Sequence, residues 1–299
     1  MRAPLARVTL AGMLMPISAL FALLAPPATV APQDAATAAV AEDWAVLPDD
    51  ELLVMTLDGG RQVFIRLAPG YAPAHVANIR KLAQANWWDG TSVYRVQDNY
   101  VAQWGDASEE KPLPPEVLRR LPAEYDWPGS NRVTELARPD PYAAATGHSA
   151  DGWPLGGDGE RAWLTHCYGM VGVARNLAPD TGDGSALYTV IGHAPRHLDR
   201  NIALVGRVIE GMEHLSSLPR GTGEMGVYRT EGERTPILSV RLASQLPADE
   251  RPRFAYRTTD NPRFAAWVRS RESRTPPFFT VPAGGADICN LMPETRRLR

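Results

Sequence analysis

Val93-Tyr94-Arg95-Val96-Gln97-Asp98-Asn99-Tyr100-Val101-Ala102-Gln103-Trp104-Gly105-Asp106 sets an arginine, an aromatic and a glutamine at offsets of five and eight. Apolar β-formers flank the polar, turn-prone triplet Gln97-Asp98-Asn99, which predicts two short strands joined by a turn. Arg95 would leave the first strand beside the ring of Tyr100 and the amide of Gln103. A fixed cation against a hydrophobic wall, with no nucleophile nearby, suits chemistry that perturbs a peptide bond without cutting it.

Outward from this run, residues 51–57 (ELLVMTL) and 61–67 (RQVFIRL) are β-rich and flank Asp58-Gly59-Gly60, a hairpin signal. Residues 72–85 place Val76, Ile79, Leu82 and Ala83 at helical spacing, with Pro73 in the first turn where proline is tolerated. From 107 to 162 the chain is rich in Pro, Gly, Asp and Arg. Only 115–121 reads as a short helix there, and the remainder reads as an elaborated insertion, long for a loop within a compact domain. Residues 235–243 (TPILSVRLA) read as a last strand. Residues 245–299 read as a C-terminal extension, in which 264–268 suggest a helix turn. Phe254, Tyr256, Phe264, Trp267, Phe278 and Phe279 give that extension apolar mass to pack on the body.

The 299 residues are 44% apolar and 22% charged, with a formal charge of −3, which is ordinary for a globular chain with one sizeable core. No basic cluster stands out beyond Arg296-Arg297-Leu298-Arg299, so nucleic acid is not an expected partner. Arg2 and Arg7 precede a mainly apolar run from Val8 to Ala25 and then a small-residue stretch, the layout of a secretory signal peptide over 1–41, cut after Ala39-Val40-Ala41. A retained membrane span is the competing reading, weakened by Gly12, Pro16 and Ser18. A cleaved chain would be periplasmic or secreted, free of the membrane. Export bears on Cys167 and Cys289, because an oxidising compartment invites a disulfide; two buried thiols are the alternative.

The 93–106 run resembles the cyclophilin signature, in which an aromatic-x-Arg strand leads to an aromatic and then to Gln-Gly-Gly-Asp. Gly169-Met170-Val171-Gly172-Val173-Ala174-Arg175 is similar to the family's strand ending in Met-Ala-Asn or Met-Ala-Arg. Asp180-Thr181-Gly182-Asp183-Gly184-Ser185-Ala186-Leu187-Tyr188 stands where the family has a Gly/Asn-rich turn and Gly-Ser-Gln-Phe-Phe. Leu198-Asp199 and Val205-Gly206-Arg207-Val208-Ile209-Glu210-Gly211-Met212 match the Leu-Asp and Phe-Gly-x-Val-x-x-Gly-Met blocks in order.

The resemblance implies a mainly β fold over 42–244: a closed antiparallel barrel capped by helices, elaborated by the long insertion and the C-terminal extension. It implies a peptidyl-prolyl cis–trans isomerase assisting protein folding, with Arg95, Gln103 and Tyr100 catalytic and Arg95 stabilising the twisted prolyl amide. Val101, Ala174, Arg175, Tyr188, His197 and Leu198 would contact the substrate, a Pro-containing polypeptide. No cofactor or metal is required, and the chain would act as a monomer. His193, His197 and Asp199 could meet a metal in principle, but Ala194-Pro195 argues against the helix such spacing needs. Departures from the pattern are Ala186 for Gln, Leu187 for Phe, Ile202 for His or Tyr, and Trp104 for Gly. They predict a weaker or different grip, and keep open a cyclophilin-fold binding module with little turnover. Tyrosine at 100 and 188 in place of phenylalanine adds hydroxyls that need partners.

Overall fold

The computed structural model describes residues 43–298; the expected signal peptide lies outside them. The chain begins with β1 (Trp44–Val46), the hairpin β2 (Leu52–Leu57) and β3 (Gln62–Leu67), helix α1 (Pro73–Gln84), then β4 (Ser92–Val96) and β5 (Val101–Gly105). Next come β6 (Trp127–Pro128), β7 (Arg132–Glu135), β8 (Ala145–Ser149), β9 (Pro154–Gly157) and β10 (Arg161–Leu164). The rest comprises β11 (Met170–Val173), β12 (Leu187–Val190), β13 (Leu204–Glu210), α2 (Glu213–Ser216), β14 (Thr235–Leu242), β15 (Arg253–Arg257), α3 (Pro262–Glu272) and β16 (Thr295–Leu298).

Eight strands close a barrel in the order β11-β12-β5-β4-β14-β2-β3-β13, every neighbouring pair antiparallel. The mainly β, barrel-forming reading of the sequence is correct. Alternate residues fill the interior: Leu53, Met55 and Leu57 of β2 face Val63, Ile65 and Leu67 of β3, and α1 adds Val76, Ile79, Leu82 and Ala83. The ELLVMTL run fails to alternate because its outward residues are covered too. Leu52 and Val54 pack with Phe64 and Phe254, so the segment after β14 roofs this side of the barrel. A strand buried on both faces reads as a continuous apolar run.

The stretch read as an elaborated loop carries short strands that form a sheet of their own. Strands β6 to β10 form a second, five-stranded sheet in the order β6-β10-β9-β8-β7. Residues 115–121 do not form the expected helix. Their backbone groups are taken by α1: the Asn78 amide donates to Leu118 O at 2.7 Å and accepts from Leu118 N at 3.1 Å, while Lys81 Nζ donates to Glu116 O at 2.9 Å. A few residues on, Glu124 accepts from the backbone N–H groups of Ala74 and His75 at 2.8 and 3.0 Å. It thereby supplies the carboxylate at the α1 N-terminus that Ala72, in the capping position, lacks.

The third sheet runs β1-β15-β16, and α3 covers the turn predicted at 264–268. Cys167 and Cys289 are joined, with Cα atoms 5.0 Å apart. No helix among the described residues is long and apolar enough to cross a membrane.

Candidate active site

The register of β4 against β5 determines where Arg95 points. Val93 pairs with Trp104, Arg95 with Gln103 and Val96 with Ala102, so the ladder slips by one residue at Tyr94. Strict alternation would put Arg95 on the same side as Val93, inside the barrel. The bulge turns Arg95 outward beside Gln103, while Val93, Val96, Ala102 and Trp104 stay in the core. Trp104, expected to disturb peptide binding, is 0% exposed and packs on Trp88 with ring centroids 5.7 Å apart. It therefore fills interior volume of the barrel.

Three elements hold the Arg95 guanidinium. Its Nε donates to Met225 O at 2.8 Å, Nη1 to Gln103 Oε1 at 2.9 Å and Nη2 to Gln97 Oε1 at 2.5 Å. Gln103 is oriented in turn by donating to the Tyr94 hydroxyl at 2.5 Å. Arg95 Cζ lies 5.8 Å from the centre of the Tyr100 ring. Burial pulls the guanidinium below its ordinary pKa, against the opposing influence of Tyr100 and Tyr94. An arginine remains a cation through such a shift. Burial likewise raises the Tyr100 hydroxyl, opposed by Arg95. Arg95, Tyr100 and Gln103, singled out in the sequence, are brought together, and Gln97, Tyr94 and the Met225 carbonyl, which the sequence did not single out, complete the contacts. Gln97 had the signature of a turn residue, and Met225 lies 130 positions away in sequence.

The other expected substrate contacts fall into two groups. Tyr100, Val101, Tyr188 and Leu198 share one apolar cluster, to which Ile202 and Ala174 also belong. His197 stacks on Tyr100, ring centroids 5.7 Å apart and planes 11° from parallel. Tyr188, opposite Gln103 in the β12–β5 register, is only 4% exposed. Its ring lies over Gly172, and its hydroxyl meets His166 Nε2 at 2.9 Å. The hydroxyl that tyrosine adds over phenylalanine is therefore partnered among buried groups. Ala174 also lines, with Arg175, Gln103 and Tyr94, a cavity of about 350 Å³. Asp106, Glu109, Glu110, Asp180, Asp183 and Ala186 also line it. Ile202 borders a narrow crevice with Tyr125 and Trp127. Among the described residues no group of three or more His, Cys, Asp or Glu side chains is placed to hold a metal.

Residues 52–242 match the family model described as "Cyclophilin type peptidyl-prolyl cis-trans isomerase/CLD". A "Probable peptidyl-prolyl cis-trans isomerase" of Brucella suis is 25% identical over 176 residues, covering 58% of this chain and 74% of that one. "Peptidyl-prolyl cis-trans isomerase CYP23" of Arabidopsis thaliana is 27% identical over 173 residues, covering 58% and 62%. Among solved structures, cyclophilin AquaCyp293 from Hirschia baltica superposes with a TM-score of 0.68 at 24% identity, over 90% of this chain and 98% of that one. A barrel of this topology carrying the arginine and glutamine side by side, and a family match spanning most of the described chain, place this protein among the cyclophilin-type peptidyl-prolyl cis–trans isomerases.

Proposed function

We propose that this chain is an exported prolyl isomerase acting on Pro-containing polypeptides, with Arg95 stabilising the twisted prolyl amide. Resonance gives the peptide C–N bond a rotation barrier of about 18–20 kcal/mol, and proline brings the cis and trans energies close together. At the twisted geometry the conjugation is lost and the nitrogen becomes a hydrogen-bond acceptor. A donor already aimed there binds the transition state better than either planar state. The tethering of Arg95 carries this reading. Its five N–H groups have acceptors for three among the described residues, which leaves one on each terminal nitrogen for a bound peptide. Gln103 holds the guanidinium and Tyr100 supplies the apolar wall.

The comparison that tests it is NMR exchange or a protease-coupled assay on Ala-x-Pro peptides, wild type against Arg95→Ala. Loss of a preorganised donor should lower kcat/KM by about 100-fold or more. An active Arg95→Ala protein would remove the assignment. A second reading, a binding module with little turnover, is favoured by the near-complete burial of Tyr188. It would show as peptide binding without acceleration.

Export is supported by the basic, apolar and small-residue order of 1–41, and by a Cys167–Cys289 pairing that suits an oxidising compartment. Mass measurement of the protein recovered from the cell envelope should show a chain starting at Glu42. A cytoplasmic product starting at Met1 would refute export.

A further inference from the structure

We propose that Asp140 and Arg196 are positioning residues for the prolyl pocket, so that the five-stranded sheet controls how tightly a peptide is held. The proposal builds on the isomerase site described above and concerns side chains that do not hydrogen-bond to Arg95, Tyr100 or Gln103.

Buried polar contacts run from the pocket into that sheet. The Tyr188 hydroxyl meets His166 Nε2 at 2.9 Å, and His166 Nδ1 lies 2.9 Å from Asp199 Oδ1. The same oxygen accepts the His166 backbone N–H at 2.8 Å. Asp199 Oδ2 accepts from Arg196 Nε at 2.8 Å. Arg196 Nη1 then lies 2.9 Å from Asp140 Oδ2, a contact of opposite charges whose N–H is not aligned on the oxygen. The arginine side chain is 3% exposed, and the two carboxylates 5% and 10%. Asp140 is itself fixed, because its Oδ1 accepts the backbone N–H groups of Tyr142 and Ala143, both at 2.8 Å. Asp140 lies between β7 and β8, and so belongs to the insertion.

Two walls of the pocket hang on these contacts. Tyr188 stands opposite Gln103, and its buried hydroxyl needs a partner to offset lost hydration. Arg196 sits in the short 3-10 turn Ala194–Leu198, directly before His197, which stacks on Tyr100, and Leu198. An arginine this deeply buried is held by its carboxylates on both sides, and removing one leaves a poorly compensated charge. Pinning Arg196 therefore pins the turn that presents His197 and Leu198. A wall already ordered costs less to bind against. The effect falls on affinity, while rotation of the amide belongs to Arg95.

The test uses the full mature chain with Asp140→Asn, which retains an acceptor for the loop and removes the charge facing Arg196. Tyr188→Phe, which removes only the hydroxyl, is the second variant. Both are assayed with an Ala-x-Pro peptide by NMR exchange and by titration. KM and Kd should rise about three- to tenfold with kcat changed less than about twofold, and the His197 ring signals should broaden in both variants, those of Tyr188 in Asp140→Asn. KM and Kd unchanged in folded variants would overturn the proposal, as would a fall in kcat alone. If Asp140→Asn does not fold, Tyr188→Phe and Arg196→Lys give the same comparison. A wild type that binds the peptide without turnover removes the isomerase reading, and Kd then decides the positioning role by itself. A wild type that binds no prolyl peptide overturns both.

Discussion

At the scale of single residues, Arg95 is informative because of what restrains it. A guanidinium on a flexible stem loses direction unless its fork is occupied, and here Gln97, Gln103 and the Met225 carbonyl occupy it from three parts of the chain. A hydrogen bond to a charged group contributes about 1.5–3 kcal/mol. Gln97→Leu, which removes the acceptor from Nη2, should therefore lower kcat by roughly tenfold through misdirection of the cation, with KM little altered. Saturation kinetics on prolyl peptides check this, and a Gln97→Leu enzyme with wild-type kcat would show that two tethers suffice. The arginine, tyrosine and glutamine were legible because their spacing survives in one dimension. Gln97 was not: the sequence shows a polar residue entering a turn, although, two positions on from Arg95, it keeps to the same side of the chain and its amide reaches Nη2.

At the scale of elements, the barrel strands announced themselves through apolar runs, whereas the five-stranded sheet did not. Its β9, Pro-Leu-Gly-Gly, contains residues that punctuate loops in a single-sequence reading. Gly156 is needed because the Trp163 ring lies where a side chain would stand, so packing between neighbouring strands overrides local propensity. The same logic operates in the pocket at Gly172, where an added Cβ would collide with the Tyr188 Cζ and hydroxyl. Gly172→Ala should therefore displace the ring from His166 and destabilise the fold by about 1–3 kcal/mol, the usual cost of overpacking. Denaturant melts would measure the loss. Unchanged stability, with the Tyr188 ring signals in place, would mean that β12 can shift to make room.

At the scale of the whole described chain, the barrel is tied to the segments around it by a few long-range contacts. Arg66 of β3 is sandwiched between Trp153, 4.6 Å from its Cζ, and Tyr256 at 3.7 Å, and donates to Asp151 O at 2.8 Å. The Cys167–Cys289 bond spans 122 residues, and closing a loop of that length restricts the unfolded chain by about 5 kcal/mol in the chain-entropy account. Urea melts with and without reductant should differ by several kcal/mol in that account, and coincident melts would show that the bond constrains little. Two cysteines permitted this pairing without placing them near one another, which only the packing of residues 288–291 against the sheet supplies.

Acid should find the weakest of these ties at His148. Its imidazole is 0% exposed, set edge-on to Phe264 of α3, with Nε2 donating to Leu291 O at 2.8 Å and Nδ1 buried without a partner among the described residues. Burial pushes its pKa down to about 4; the bond to Leu291 opposes this and the Arg207 charge adds to it. An unfolded histidine titrates near 6.5, so between the two values the unfolded chain binds the extra proton. The neutral ring thus contributes its full stability above about pH 6.5, and that contribution is lost as pH falls towards 4, by about 3 kcal/mol in all. Unfolding free energies measured across that window should decline more steeply for wild type than for His148→Gln, which cannot take up the proton. Parallel declines would assign the acid sensitivity to the carboxylates instead. A steeper wild-type decline would identify the seam between β8, α3 and the Leu291 turn as an acid-sensitive tie between the C-terminal segment and the five-stranded sheet.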